Sequence, residues 1–402
     1  MKKDVLMVTP FTELPGEEGN GRFRYLAQRI DKSKATVEVV TTDFSHSKKT
    51  RRYVCEQALK ASDYKVTLLH EPGYTKNISI RRYISHYGLG DNLRRYLTQR
   101  KRPDVVYCAV PPTSVAKVAA EYAKEHGIPF VIDVQDIWPD AFRMFFDCPL
   151  ISDFLFYPVK READYVYASA DHIIAVSETF ANRALNANTK CKEATVVYLG
   201  TDLQQFDVLA AENAVDTKNK KELWVAYVGT LSHSYDIPTV IDALAILKTQ
   251  KGINVKFVVI GDGPLRETFE LYAQKKDVWV EFTGRLGYGK MVGLLTACDI
   301  AVNPIVRGSG GSILNKHADY SAAGLPVLNT QDSMEYRQLV DEWQIGLNCK
   351  SGDAHDLAAK MLEFIQSKEL REKCSRNSRK LAEEKFDRRL TYSTIINILM
   401  LC

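Results

Sequence analysis

Four short stretches of the 402-residue chain gather polar and flexible residues in patterns that could do chemistry. In VNPIVRGSGGSILNKHADYSAAGLPV, Gly308, Gly310 and Gly311 leave backbone amides bare, and a helix is expected from about Ser312 to Ala323. Lys316 and Asp319 are three residues apart and so share one face of that helix. Loop amides, a helix N-terminus and a lysine would neutralise a diphosphate, and the carboxylate would accept hydrogen bonds from a ribose. An ordinary Lys–Asp surface pair is the plainer alternative. In VVIGDGPLRETFELYA, Gly261, Gly263 and Pro264 turn a strand sharply into a helix. In FVIDVQDIWPDAF, Asp133, Asp136 and Asp140 surround a Trp-Pro at the end of a buried strand. Such carboxylates either cap the next helix or act as a base or stabiliser of developing positive charge, and Asp136 is the catalytic candidate. In GEEGNGRFRYLA, Gly16, Gly19 and Gly21 follow the first strand and lead into a helix beginning near Arg22. Glycines there admit a ligand to the backbone and a helix N-terminus favours negative charge, although a flexible turn would read the same way.

These stretches sit in a regular alternation of elements. VLMVTP, VEVVTT, VVYCAV, FVIDV, HIIAVS and TVVYL are β-rich apolar runs separated by helical stretches such as SVAKVAAEYAKEHG, where Gly127 is the expected C-cap. After a polar stretch, AAENAVDTKNKKEL, the alternation restarts with LWVAYVGT, VKFVVIGDG, VEFTG, IAVNPI and PVLNT. Two blocks of βαβ units predict an α/β protein with two Rossmann-like, doubly wound parallel-sheet domains facing a cleft, residues 1–205 and 206–402. A final helix, about 385–402, is expected to return to the first domain. Ligands of such sheets bind beyond the carboxyl ends of the strands, where all four loop regions fall.

Composition is that of a soluble globular chain, with 45% hydrophobic and 26% charged residues. The apolar run in MKKDVLMVTPF is short and ends at Pro10, which suits a buried first strand better than a signal peptide. Eight cysteines without a CxxC pair argue against a zinc site or a disulfide framework and point to a reducing, cytoplasmic setting. The net charge is +4, yet residues 48–102 hold 14 basic against 4 acidic side chains, with Tyr74, Tyr83, Tyr87 and Tyr96 interleaved. That pattern suits an anionic membrane surface or a solvated face; a pI of 8.4 and no recognition motif speak against nucleic acid.

In order along the second block, YVGTLSHSYDIPTVIDAL, VVIGDGPLRE, VEFTGRL, LLTACDIAVNPI and NKHADYSAAGLPV resemble the donor domain of GT-B retaining glycosyltransferases of family 4. In the first block, VSETF and VVYLGTDLQQF are similar to the family's path into its second domain, and DVQDIWPD resembles an element of members that build bacterial surface polysaccharides. The resemblance implies transfer of a sugar, with retention and without metal or cofactor, from a nucleotide-sugar (a UDP-sugar) to a saccharide or lipid-linked acceptor. By this resemblance the donor contacts are Gly229, Thr230, Gly261, Gly263, Arg285, Arg307, Gly310, Gly311, Ser312, Lys316 and Asp319. The acceptor side would include Asp136 and the loop carrying Gly19, Gly21 and Arg22. Thr230 and Tyr235 stand where the family places an Arg and a Lys, the Glu-x7-Glu pair falls on Gly311 and Asp319, and Leu199 replaces the linker Asn. Phosphate neutralisation is therefore expected from Lys316, Arg307 and the loop amides, assisted by Arg22. A binding subunit without turnover, or a nucleotide-sugar 2-epimerase, are the alternatives on this fold.

Overall fold

The computed structural model describes residues 2–17, 19, 21–53, 55–77, 79–139, 149–216, 218–219, 222–308 and 312–402, with backbone alone for 149–155. The chain divides into two units, Met1–Tyr198 with Thr391–Cys402, and Leu199–Leu390.

In the first unit the strands are β1 (Lys3–Val8), β2 (Ala35–Thr42), β5 (Lys65–Leu69), β6 (Val105–Val110), β7 (Phe130–Val134), β8 (His172–Ala175) and β9 (Thr195–Val196), with a small antiparallel pair β3 (Phe44–Ser45) and β4 (Thr50–Arg51). They form a seven-stranded parallel sheet in the order β5-β2-β1-β6-β7-β8-β9. VVYCAV and FVIDV are buried at every position, because helices on both faces leave a central parallel strand no wet side. Val5, Met7, Tyr107 and Ile174 form the core with Leu26 from the helix Arg22–Arg29. Tyr392, Ile395 and Leu399 of the last helix, Arg388–Leu401, complete that core. Gly127 ends the helix Thr113–His126 in the left-handed conformation that the sequence predicts.

The second unit holds β10 (Trp224–Val228), β11 (Lys256–Ile260), β12 (Val280–Gly284), β13 (Ile300–Asn303), β14 (Val327–Asn329) and β15 (Gly346–Asn348), parallel in the order β12-β11-β10-β13-β14-β15. Tyr227, Phe257 and Val259 pack against Val240 and Leu244 of the helix Ile237–Lys251 and against Leu357 and Met361 of the helix Ala354–Gln366. Strand order reverses at β1/β6 and at β10/β13, the switch points beyond which doubly wound sheets bind ligands. Among the described residues no helix is long and apolar enough to cross a membrane.

Candidate functional site

In the second unit the lysine singled out by the sequence is the focus. The helix that carries it runs over Asn315–Ala322, three residues shorter at its start than expected, because Ser312 turns away: it is buried and its hydroxyl donates to Glu335 at 2.6 Å. His317 fixes the start of the helix, accepting the Leu314 N–H at 3.1 Å and stacking on Tyr336 at 3.5 Å. One residue earlier, Lys316 points inward. Its ammonium group lies 4.4 Å from the centre of the Tyr227 ring and 3.9 Å from that of Tyr235, buried and without a hydrogen-bond partner among the described residues. Burial among aromatic faces pushes its pKa well below the usual lysine range. A lysine buried with no acid paired to it among the described residues carries a desolvation cost that an anionic ligand would offset.

The glycines around it have measurable reasons. Gly229 takes φ +151°, and a β-carbon there would lie 3.0 Å from Lys316 Nζ, so the missing side chain keeps the space beside the lysine clear. Next to it Thr230 is exposed, and its carbonyl accepts from the Tyr227 hydroxyl at 2.8 Å. A β-carbon on Gly261 would sit 1.8 Å from the Gly229 oxygen, and one on Gly263 would sit 2.2 Å from that of Leu231. Those two glycines therefore let the loops after β10 and β11 pack backbone to backbone, joined by Leu231 N–H to Asp262 O at 3.0 Å and Leu265 N–H to Leu231 O at 3.1 Å. Arg285 and Arg307 are exposed and make no ion pair with the described residues. Gly310 and Gly311 lie outside the described residues.

Asp319 is half-buried on the same helix. The Tyr288 hydroxyl donates to its Oδ1 at 2.9 Å and is itself paired with Thr201 at 2.7 Å. Burial pushes this carboxyl up to about 6, against the hydrogen bond from Tyr288 and the charge of Arg388. Nothing in the sequence singles out Tyr227, Tyr235 or Tyr288 as a set, because they meet only through the sheet.

In the first unit two expectations change. Arg22 is buried, and its guanidinium donates to both oxygens of Asp133 at 3.0 and 2.9 Å and to the carbonyl of Tyr198 at 3.1 Å. The Tyr107 hydroxyl donates to the same carboxylate. Arg22 points down onto the sheet from the first helical turn, so it braces the core and is not presented to a phosphate. Gly19 and Gly21 close around Glu13: a β-carbon on Gly21 would meet its Oε2 at 1.9 Å. Arg24 ties the same loop down through the carbonyls of Glu17 at 2.6 Å and Gly19 at 2.7 Å. A carboxylate at this helix start opposes an anion there.

Asp136 stands just past the end of β7, accepting from Ile137 N–H at 2.9 Å and from the Trp138 indole at 3.0 Å. Burial raises its pKa, although both hydrogen bonds and the charge of Arg82 favour the ionised form. Asp140 lies outside the described residues. Around Trp138 is a cluster that sequence spacing could not reveal. Arg82 lies 4.3 Å over the Trp138 ring and its Nε donates to His86 Nε2 at 3.3 Å. That bond assigns the His86 proton to Nδ1, which has no hydrogen-bond partner among the described residues. Tyr74 stacks on His86 at 5.6 Å, and Phe11 lies 4.7 Å from His46. Burial, with Arg82 nearby, lowers both imidazoles to about 3, so they are neutral hydrogen-bonding groups at physiological pH. Phe11, Tyr74 and Trp138 follow β1, β5 and β7, so the cluster sits at the carboxyl edge of the sheet.

Two family models match in tandem: glycosyltransferase family 4 over residues 22–205 and glycosyl transferases group 1 over residues 210–381. An uncharacterized glycosyltransferase of Methanocaldococcus jannaschii is 19% identical over 264 residues, 65% of this chain and 63% of its own length. A Campylobacter jejuni N-acetyl-D-galactosaminyltransferase, whose name gives an undecaprenol diphosphate-linked saccharide as its acceptor, is 33% identical over 75 residues, 19% of this chain and 21% of its own. The chain spans about six-tenths of the length of the first curated relatives it matches, 63% and 57%. Among solved structures, Anabaena HepE in complex with UDP superposes with a TM-score of 0.70 at 16% identity over all of both chains, and the same protein is known with UDP-glucose.

Proposed function

Because the chain belongs to the group 1, family 4 glycosyltransferases and has their GT-B fold, we propose that it transfers a hexosyl or N-acetylhexosaminyl group from a UDP-sugar to a saccharide or lipid-linked saccharide, with retention, in the assembly of a surface polysaccharide. The unit Leu199–Leu390 holds the donor, and the unit Met1–Tyr198 with Thr391–Cys402 holds the acceptor. The observation that carries this reading is the buried ammonium group of Lys316, unpartnered among the described residues, beside Gly229, Tyr227 and Tyr235. HepE's complexes with UDP and UDP-glucose support the choice of donor. The Campylobacter enzyme's named acceptor supports a lipid-linked saccharide.

In this reading Lys316, Arg307 and the amides of the glycine loop take the diphosphate, while Asp319 holds the ribose through the oxygen that Tyr288 leaves open. The bond from the anomeric carbon to the diphosphate breaks as the acceptor oxygen attacks from the same face. The acceptor's proton passes to the departing phosphate oxygen, and Asp136, held by Ile137 and Trp138, stabilises the positive charge that develops on the sugar. Lys316 does from a helix what the family's Lys does from the loop occupied here by Tyr235. The same displacement favours a second reading, a binding subunit without turnover. Release of free UDP that depends on acceptor identifies a transferase; tight UDP-sugar binding with no release under any acceptor identifies the binder.

The acceptor's lipid would place the protein at the cytoplasmic face of an anionic membrane.

A further inference from the structure

Much of the positive charge between residues 48 and 102 is internally engaged. Arg82 is 8% exposed, Arg100 pairs with Glu38 and Asp4, Arg52 with Glu17, Arg51 with Asp43 and Arg94 with Glu121. Charge alone therefore does not make this a membrane face. The helix Ile80–Gln99 adds a different feature. Leu89, Leu93 and Leu97 line its inner face, yet Ile80, Ile84 and Tyr87, spaced on the opposite face, are 80%, 60% and 47% exposed. The outer face turns polar only at Asp91, Arg94 and Arg95. A water-facing helix puts its charges there, so an outer stripe of two isoleucines and a tyrosine ring is apolar surface left exposed among the described residues.

Its surroundings are basic. Lys76 and Arg81 flank the stripe, both exposed and without an ion pair among the described residues. The Tyr87 hydroxyl donates at 2.6 Å to Glu162 of the helix Pro149–Ser169, a helix on which Tyr157 is 56% exposed and Lys160 and Arg161 are also exposed. Glu162 is occupied by that bond, and Asp91 marks where the apolar stripe stops. Aliphatic side chains, tyrosines and long cations together match the boundary between headgroups and acyl chains of an anionic bilayer.

We propose that the N-terminal half of the helix Ile80–Gln99 is the membrane-docking element: Ile80, Ile84 and Tyr87 enter the acyl boundary while Arg81, Lys76, Lys160 and Arg161 hold anionic headgroups. This deepens the membrane part of the function proposed above and rests on it for the reason to dock. Its test is independent of catalysis. The full chain is centrifuged with vesicles of pure phosphatidylcholine and with vesicles containing phosphatidylglycerol, at low and at about 1 M salt, where the Debye length falls to about 3 Å. The wild type should pellet with anionic vesicles and retain part of that binding at high salt. Ile80→Gln/Ile84→Gln should lose on the order of tenfold or more in partition and all of the salt-resistant part. Arg81→Gln/Lys160→Gln/Arg161→Gln should lose the salt-sensitive part instead. Both variants should keep the wild-type melting temperature and UDP-sugar response. A wild type that stays in the supernatant, a double variant that pellets like the wild type, or a wild-type dimer that the double variant converts to monomer would each overturn the proposal. If no UDP-sugar shifts the melting temperature, the transferase reading fails while the sedimentation result stands.

Discussion

Lys316 sets the sharpest expectations at the scale of single residues. Truncating Lys316→Ala should weaken UDP far more than uridine, because the lost group meets only the diphosphate; equal losses in titration calorimetry would count against the cradle. Asp319→Ala should cost about 1.5–3 kcal/mol of donor binding, the range for a hydrogen bond to a charged group. The two groups also predict a pH profile. An ionised Asp319 is the better acceptor for ribose, so affinity should fall as pH drops through about 6, and Asp319→Asn should flatten that limb. The depressed pKa of Lys316 means that binding a diphosphate draws in a proton, so affinity should also decline on the alkaline side. Calorimetry in buffers of different ionisation enthalpy would reveal that uptake. Asp136→Asn should lower turnover at least ~10²-fold with donor affinity unchanged; undiminished turnover would leave Asp136 only its contacts to Ile137 and Trp138. That Lys316 and Asp319 share one helix was legible, because three-residue spacing after a glycine loop puts them on neighbouring turns. Arg22 was not, since its partner Asp133 is 111 residues away and only the sheet joins them. His46 and His86 carried no spacing signal at all: they meet where the ends of neighbouring strands converge.

The central strands could be read directly at the scale of elements, because a strand buried on both faces must be apolar throughout, as VVYCAV is. The glycine turns were visible, but their purpose was not. Sequence reads Gly261 and Gly263 as a sharp turn from strand into helix, and the geometry adds the close approach of two backbones that shapes the rim around Gly229. Substitution separates the two roles. Gly261→Ala combines φ +148° with a contact at 1.8 Å and should destabilise the protein by roughly 2–4 kcal/mol in denaturant unfolding. Gly308→Ala, at φ +76° with open space around it, should cost only about 1–2 kcal/mol, the left-handed penalty alone. Similar losses at both sites would mean that the loops after β10 and β11 are not locked together.

The last helix makes the chain discontinuous at the scale of the whole molecule: Thr391–Cys402 completes a unit that begins at Met1. Tyr392, Ile395 and Leu399 enter its core, each worth about 1.5–3 kcal/mol of burial, so truncation after Leu390 should loosen the first unit. Hydrogen exchange should then rise in β1, β2 and β6 while β10, β11 and β13 stay protected; uniform protection would show that the segment is dispensable. Two βαβ blocks were legible as a rhythm of strands and helices, whereas the return of the tail has no such signal, since no local pattern tells a helix which sheet it will cover. The central claim, that Lys316 receives the diphosphate of a nucleotide-sugar, is tested most directly by titrating UDP-sugars, GDP-sugars and ADP-sugars into the wild type and Lys316→Ala while following thermal stability. One UDP-sugar should stabilise the wild type strongly and the variant weakly, with uridine stabilising both alike. Equal stabilisation of both proteins by that UDP-sugar, or of neither by any nucleotide-sugar, would contradict it.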